Sequence, residues 1–169
     1  MLILLPPSET KRSGGRARPL DLSALALPRL LPQREAVAGT LVALSADEDA
    51  AARVLKLSAR QRGEIADNAA LRTAPTMPAV DRYTGVLYDA LDFASLTKAR
   101  KARGLEAILV GSALFGLVGA ADQIPHYRLS ASSSLPGGGT LRSRWSAPLA
   151  EAFQLTQTEL HTTNLHAYR

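Results

Sequence analysis

A short apolar stretch that runs directly into a basic, glycine-containing loop opens the chain and most constrains its fold. Leu2–Leu5 has the length and composition of a buried strand, and Pro6 and Pro7 prevent further ladder pairing. The Gly14-Gly15 pair permits a tight turn whose backbone N–H groups can face an anion. The loop also carries four cations, Lys11, Arg12, Arg16 and Arg18. The segment therefore predicts a strand followed by an anion-binding loop, with an ordinary solvated loop as the alternative.

Length and charge limit what the rest of the chain can be. At 169 residues it has the length of one domain with one core. A formal net charge of +5 and a pI near 10.0 suit DNA, an anionic membrane surface or an acidic ligand. Without cysteine there is no disulfide, thiol nucleophile or cysteine-ligated zinc. No apolar stretch approaches the ~18 residues that span a membrane, so we expect a cytosolic protein with no membrane partner.

The first half of the chain is predicted to be mainly helical. Val37, Leu41 and Leu44 lie at helical spacing over residues 34–44. Ser-x-x-Glu at residues 45–48 and Ser-x-x-Gln at residues 58–61 have the form of capping boxes, which predicts helices over about residues 46–56 and 59–71 joined by a very short turn. Basic residues gather at this turn, namely Arg53, Lys56, Arg60 and Arg62. The turn suits a nucleic-acid phosphate, and a helical hairpin with solvated arginines is the alternative.

The second half mixes helices with strands. We expect one helix over residues 80–91 and another that ends at Gly104, before a buried strand over residues 105–110. The glycines between Gly111 and Gly119 fit no nucleotide-binding pattern and instead indicate an apolar strand-to-helix junction with close backbone approach. The order of elements predicts an α/β fold in which a mixed sheet is surrounded by helices.

No catalytic motif stands out. His126 and Asp122 can be combined with Ser8 or Ser112 on paper, but the Gly-x-Ser-x-Gly elbow is absent. The three histidines do not form a metal-ligand pattern, so we expect neither a metal nor a cofactor. Arg128 beside Tyr127 can bind a phosphate, although a structural pairing of that arginine is equally compatible with the sequence.

Several segments together resemble the YaaA peroxide-stress family, a group of bacterial cytosolic proteins. In the family's order they are Met1–Lys11, Tyr83–Gly85, Ser112–Gly116, Tyr127–Leu129 and Trp145. The resemblance implies an α/β fold with a helix-hairpin-helix-like element and DNA binding through a positively charged cleft. It also implies a role in limiting free iron and oxidative damage during peroxide stress, and it establishes no catalytic activity.

The resemblance also locates departures from the family pattern. Glu9 stands where one branch of the family has lysine, which transfers the expected phosphate contact to Lys11, and His126 stands in place of a proline. Family members continue for roughly another third of their length, whereas residues 151–169 here form a divergent tail after a domain over residues 1–150. We therefore expect a chain incomplete at its carboxyl end, with strand edges and apolar surface left uncovered.

Two functions compete on this sequence. The first is a non-enzymatic protein of the peroxide response that binds duplex or branched DNA without sequence preference. Its expected DNA contacts are Lys11, Arg12, Arg16, Arg18, Lys56, Ser58, Arg60, Arg62 and Arg128. The second is a small-molecule enzyme or binding protein with a phosphate or carboxylate pocket formed by Lys11, Arg16 and Arg128. A third hypothesis, suggested by the divergent tail, is a fragment without function. The sequence predicts no oligomeric state.

Overall fold

A computed structural model describes the backbone of residues 2–166 and the side chains of residues 2–153. Within residues 2–166 the chain forms six short strands and seven α-helices. The strands are β1 (Ile3–Leu5), β2 (Ala17–Pro19), β3 (Pro75–Pro78), β4 (Ile108–Ser112), β5 (Gly116–Gly119) and β6 (Gln123–Ile124). The helices are α1 (Leu31–Leu44), α2 (Glu48–Val54), α3 (Glu64–Ala69), α4 (Ala79–Arg82), α5 (Val86–Leu91), α6 (Lys98–Ala107) and α7 (Leu141–His166). The predicted mixed α/β fold is confirmed.

The strands form two small sheets. In the first, the order is β1-β4-β5, with β1 parallel to β4 and β4 antiparallel to β5. In the second, the order is β2-β3-β6, and both pairs are antiparallel. The core between the sheets and the helices includes Leu41, Leu71, Val110, Phe115 and Ile124, all fully buried. Among the described residues, no helix is long and apolar enough to cross a membrane.

The expectation of a buried first strand is wrong. Pro6 and Pro7 follow β1 as predicted, but β1 is one of the two edge strands of its sheet. Leu2, just before the strand, and Ile3 and Leu4 within it are 52%, 38% and 56% exposed, so Leu5 is the residue by which this strand packs against the core.

The predicted pair of helices after α1 is present, but with different ends. Helix α2 is capped by Asp47, whose carboxylate accepts from the backbone N–H of Ala50, whereas the predicted cap, Ser45, donates its hydroxyl to the Leu41 carbonyl. Residues 55–63 connect α2 to α3, so the connection is longer than the very short turn that we predicted. It contains a 3-10 turn, Ala59–Gln61, in which Gln61 Oε1 accepts from the Ser58 N–H as the second capping box predicts.

Three glycines explain the differences in the second half. Gly85 has a φ of +105° and separates α4 from α5, so the single helix predicted over residues 80–91 is two short ones. Gly104 does not end a helix but lies inside α6, where a Cβ would approach Phe93 to 2.7 Å. Gly116 begins β5, and a Cβ there would approach Trp145 to 2.6 Å. The predicted strand-to-helix junction is therefore a β4–β5 hairpin, although the close approach that we expected is present.

A fully buried arginine holds α1 against the first sheet. The Arg34 guanidinium donates to the carbonyls of Phe115 and Leu117 at 3.1 and 2.6 Å, and to the Ala26 carbonyl at 2.7 Å. Burial lowers the pKa of Arg34 to about 10. The Asp122 carboxylate accepts from the backbone N–H groups of Ala26 and Gly119, which closes the same junction. The Arg34 side chain therefore joins the segment before α1 to the β4–β5 hairpin, because it donates to main-chain carbonyls of both.

We expect Arg34→Met to destabilise the protein by about 3 kcal/mol or more, because methionine keeps the packing but leaves buried carbonyls without donors. Urea unfolding measures the change in free energy. The exposed Arg29→Met is the matched control and should change stability by less than about 0.5 kcal/mol. Equal effects of the two substitutions would contradict this role for Arg34.

Candidate anion-binding site

Lys11 lies on top of two tyrosine rings in a half-buried position. The residue forms an isolated β-bridge with Tyr83, and its ammonium lies 4.2 Å from the ring centroid of Tyr127 and 5.6 Å from that of Tyr83. Lys11 Nζ also donates to the carbonyls of Ser8 and Glu9, both at 3.3 Å. Burial, followed by the nearby Arg128 cation, lowers the pKa of Lys11 to about 8. The surroundings therefore disfavour the charged form of Lys11.

A buried cluster of hydroxyl groups lies beneath Lys11. The phenol oxygens of Tyr83 and Tyr127 are 2.8 Å apart, and Ser112 Oγ lies 2.9 Å from the Tyr127 oxygen. The backbone N–H of Phe115 donates to Ser112 Oγ, which orients the cluster from the β4–β5 turn. Burial raises the pKa of Tyr127 to about 12 and that of Tyr83 well above its usual value. Both phenols remain protonated and neutral under ordinary conditions, so they provide aromatic faces without negative charge.

Arg128 is the second cation of the site and is held by α3. Its backbone N–H donates to Asn68 Oδ1 at 2.8 Å, and Asn68 Nδ2 donates to the Arg128 carbonyl at 2.9 Å. The guanidinium lies 3.6 Å from the Glu9 carboxylate and 3.8 Å from that of Glu64. Both ion pairs are long, and Glu9 also accepts from Ser130 Oγ at 2.6 Å. An anion that displaces Glu9 would therefore face both Lys11 and Arg128.

Arg82 fixes the loop that carries Lys11. The buried guanidinium donates to the carbonyls of Arg12 and Ile124, and the Arg12 N–H donates back to the Arg82 carbonyl at 2.8 Å. Ser8 Oγ donates to the Thr84 carbonyl at 2.6 Å, which closes the loop on the same segment. Sequence reasoning missed Arg82. The available signal was an arginine close to the apolar residues Val80 and Tyr83.

The other three cations of the loop lie on its exposed side. Arg12, Arg16 and Arg18 are all exposed. The backbone N–H of Arg16 donates to the Thr76 carbonyl, and Gly15 approaches β3 so closely that a Cβ would lie 2.7 Å from carbonyl oxygens. Gly15 thus serves contact with β3, and the Arg16 N–H does not face an anion as expected for the turn.

The basic residues between α2 and α3 are on a neighbouring surface. Lys56, Ser58 and Arg60 are exposed, with Lys56 at a φ of +55°. Arg62 differs from them, because its guanidinium lies 2.8 Å from Asp49 and 3.7 Å from Glu48. Glu64, at the start of α3, connects this region to the site through its contact with Arg128. The structure therefore brings Lys11 and Arg128 together. The other predicted DNA contacts are exposed residues of the basic loop, of β2 and of the α2–α3 connection.

The histidine that departs from the family pattern has a structural partner. His126 Nδ1 lies 2.9 Å from the Asp67 carboxylate on α3. Among the residues whose side chains are described, no group of three His, Asp or Glu side chains could hold a metal ion. His161 and His166 lie outside that set. The boundary predicted at residue 150 stays a prediction, and α7 runs through it.

Comparison with known proteins identifies the chain's relatives. The family model described as "Peroxide stress protein YaaA" matches residues 1–167. A UPF0246 protein of Streptomyces coelicolor is 53% identical over 152 residues, which make up 89% of this chain and 58% of that protein. A UPF0246 protein of Corynebacterium efficiens is 51% identical over 156 residues, or 90% of this chain and 61% of that protein. An uncharacterised protein of Campylobacter jejuni is 32% identical over 142 residues, which make up 80% of this chain and 55% of that protein.

The chain thus spans about three fifths of the length of the first two of these curated relatives. The expected family segments lie where the structure forms the site, since Lys11, Tyr83, Ser112 and Tyr127 meet there. Because the family model covers nearly all of its residues, this chain belongs to the peroxide stress protein YaaA family, UPF0246.

Proposed function

We propose that the protein acts in the peroxide-stress response by binding DNA, without catalysis and in the cytosol. Family membership supports the role in peroxide stress. The proposed DNA surface has the Lys11 and Arg128 site at its centre and the basic loop beside it. Binding is expected to be tolerant of sequence, because phosphate contacts position a protein on DNA without reading bases.

The observation that carries the proposal is the set of free cations beside the site. Among the described side chains, no carboxylate lies within ion-pair distance of Arg12, Arg16 or Arg18. An exposed arginine without a carboxylate partner keeps its charge available for a phosphate. Arg12 follows Lys11 directly, Arg16 lies later in the loop and Arg18 lies in β2, so residues 11–18 can present four cations to a polyanion.

The α2–α3 connection extends this surface. Lys56 and Arg60 are exposed, and Glu64 links the start of α3 to Arg128. We propose that the connection acts as the helix-hairpin-helix-like element and contacts the same DNA, duplex or branched. Arg62 would contribute less than Lys56 and Arg60, because Asp49 and Glu48 already neutralise it.

DNA binding of this kind would limit iron-dependent oxidative damage to the bound DNA. A protein that neutralises phosphates releases the cations condensed on the DNA. Ferrous ions at those phosphates would be displaced together with other cations, which removes the metal that converts peroxide to damaging radicals next to the bases. The proposal thus joins the family's peroxide role to electrostatic binding, and it needs no metal bound to the protein.

We expect the affinity for duplex DNA to fall steeply with salt, with a slope of about −0.9 in log–log terms for each phosphate neutralised. Arg16→Gln/Arg18→Gln should reduce the magnitude of this slope by up to about 2, because two phosphate contacts are lost. Fluorescence anisotropy with a labelled duplex between 50 and about 200 mM salt measures both quantities.

The matched control is Arg100→Gln/Arg103→Gln, which removes the same charge from the exposed face of α6. This variant should leave the slope almost unchanged. Equal losses in the two variants would mean that net charge alone drives binding, and an affinity that does not vary with salt would contradict the DNA proposal.

A small anion bound at Lys11 and Arg128 is the second candidate function. The favouring observation is the half-buried Lys11 ammonium, which has carbonyl and aromatic partners and a second cation nearby. Arg16, the third member of the predicted pocket, lies on the loop beside β3 and has no described contact with the other two. A phosphate or carboxylate would here relieve the repulsion between Lys11 and Arg128.

Lys11→Met tests whether that lysine serves binding and not folding. Because the folded protein lowers the pKa of Lys11 from 10.5 to about 8, charging this side chain opposes folding below pH 8, and the cost fades as pH rises to 10.5. At pH 7 we therefore expect Lys11→Met to be as stable as the parent or more stable by about 1 kcal/mol. Urea unfolding should show this difference shrinking between pH 7 and about 10.

The same variant should also lose ligand binding. We would measure the rise in melting temperature that inorganic phosphate, nucleotides, duplex DNA and branched DNA each cause in the parent, and expect Lys11→Met to lose that rise. The exposed Lys98→Met serves as the control. Stabilisation by a nucleotide but not by DNA would favour the second function. A strongly destabilised Lys11→Met that still binds ligand would contradict both.

A further inference from the structure

A carboxylate of the protein itself occupies the candidate anion-binding site. Glu9 Oε1 accepts from Ser130 Oγ at 2.6 Å, and Glu9 Oε2 lies 3.6 Å from the Arg128 guanidinium. The Ser132 N–H donates to Ser130 Oγ and orients that hydroxyl. The Glu9 side chain is 62% exposed, whereas that of Arg128 is only 17% exposed. Glu9 can therefore move out into solvent, which would uncover a recessed guanidinium and a hydroxyl group that both donate to anions.

The donors around the Glu9 carboxylate exceed what one carboxylate uses. The Lys11 ammonium has three N–H groups, and its two described hydrogen bonds, to the Ser8 and Glu9 carbonyls, are both 3.3 Å long. The Glu9 carboxylate is also close enough to Lys11 to raise the pKa of that side chain, against the larger lowering by burial. With Arg128 and Ser130, the site thus holds two cations and a hydroxyl near one carboxylate. This set suits an anion with more than one negative charge and several acceptor oxygens.

A terminal phosphate of a DNA strand matches this set better than an internal phosphate does. A phosphate monoester carries a charge of about −1.5 to −2 at pH 7 and has three acceptor oxygens. An internal phosphodiester carries a single charge and has a sugar on either side. Because the Arg128 side chain is mostly buried, a group that projects from a strand end can reach it more easily than a group within the backbone.

The exposed arginines beside the site favour a strand end over a free nucleotide. Arg12 follows Lys11 in the chain, and Arg16 and Arg18 lie further along, all three exposed. A strand whose last phosphate lies between Lys11 and Arg128 can offer its next phosphates to these arginines, whereas a mononucleotide has none to offer. Such contacts add a salt-dependent contribution to the affinity for a strand end.

We propose that the site formed by Lys11 and Arg128 binds the terminal phosphate monoester of a DNA strand, which takes the place of the Glu9 carboxylate. Glu9 is then an internal competitor that lowers the affinity for this phosphate. The inference rests on the DNA binding proposed above and narrows the ligand of its central site to strand ends. Oxidative cleavage of a DNA backbone leaves phosphate monoesters, so this ligand agrees with a role in peroxide stress.

Duplexes that differ only at their ends test the proposal. One internally labelled duplex is prepared with hydroxyl groups at all ends, with 5′-phosphates, or with 3′-phosphates. Fluorescence anisotropy at one salt concentration should show at least about tenfold tighter binding of one phosphorylated duplex than of the hydroxyl-ended duplex. A methyl ester on the preferred phosphate removes its second charge and should abolish most of this gain.

Glu9→Gln tests the exchange of the carboxylate for the phosphate. Glutamine keeps the size of the side chain and removes the competing charge, so this variant should bind the phosphorylated duplex about threefold more tightly. The gain for the hydroxyl-ended duplex should be smaller. The matched control is Glu106→Gln, which removes the same charge from the exposed face of α6 and should affect both duplexes equally. If the two variants have the same effect, Glu9 does not compete with the phosphate, and that part of the proposal is wrong.

The failure of this inference can be told apart from that of the DNA proposal. Equal affinity for all ends, with a steep dependence on salt, would overturn the inference and leave DNA binding standing. Failure to bind any of the duplexes would overturn the DNA proposal itself. Thymidine 5′-monophosphate should compete far more weakly than the preferred duplex. Competition of equal strength would make a free nucleotide the ligand and would overturn the assignment to strand ends.

Discussion

The contact between the buried Arg82 guanidinium and two main-chain carbonyls is the interaction on which the candidate site depends. Its donors join the Arg12 carbonyl of the basic loop to the Ile124 carbonyl of β6. Burial lowers the pKa of Arg82, although an arginine keeps its proton under these conditions. A buried cation bound to carbonyls is costly to leave without partners, so the loop and β6 are held in one geometry.

That geometry brings the Lys11 ammonium against the ring of Tyr127. Lys11 extends from the loop, and Tyr127 follows β6, so the distance between their elements sets the contact of ammonium and ring at 4.2 Å. Arg128 follows Tyr127 and brings a second cation to the same place. The fold thus keeps an ammonium half-buried and close to a guanidinium, an arrangement that an anion stabilises. Charged groups that are held at such an energetic cost usually serve to bind a ligand.

Sequence reasoning reached the elements more easily than the contacts between them. Helix α1 was predicted from the spacing of Val37, Leu41 and Leu44, because one helix face is a local property. The hydroxyl cluster was not predicted, since Tyr83 and Tyr127 are far apart in sequence and meet only after folding. Arg34 and Arg82 were missed for the same reason, because their partners are backbone carbonyls that carry no residue-specific pattern. The burial of β1 was wrongly predicted, because an apolar run does not show whether a strand lies at the centre or at the edge of its sheet.

The central claim is that the fold holds Lys11 as a destabilised cation that an anion relieves. A titration of the Lys11 side chain by heteronuclear NMR, with and without a saturating phosphate-bearing ligand, tests it directly. The account predicts a pKa of about 8 for the free protein and a rise when inorganic phosphate or duplex DNA is bound. An ordinary pKa near 10.5 that neither ligand changes would contradict it.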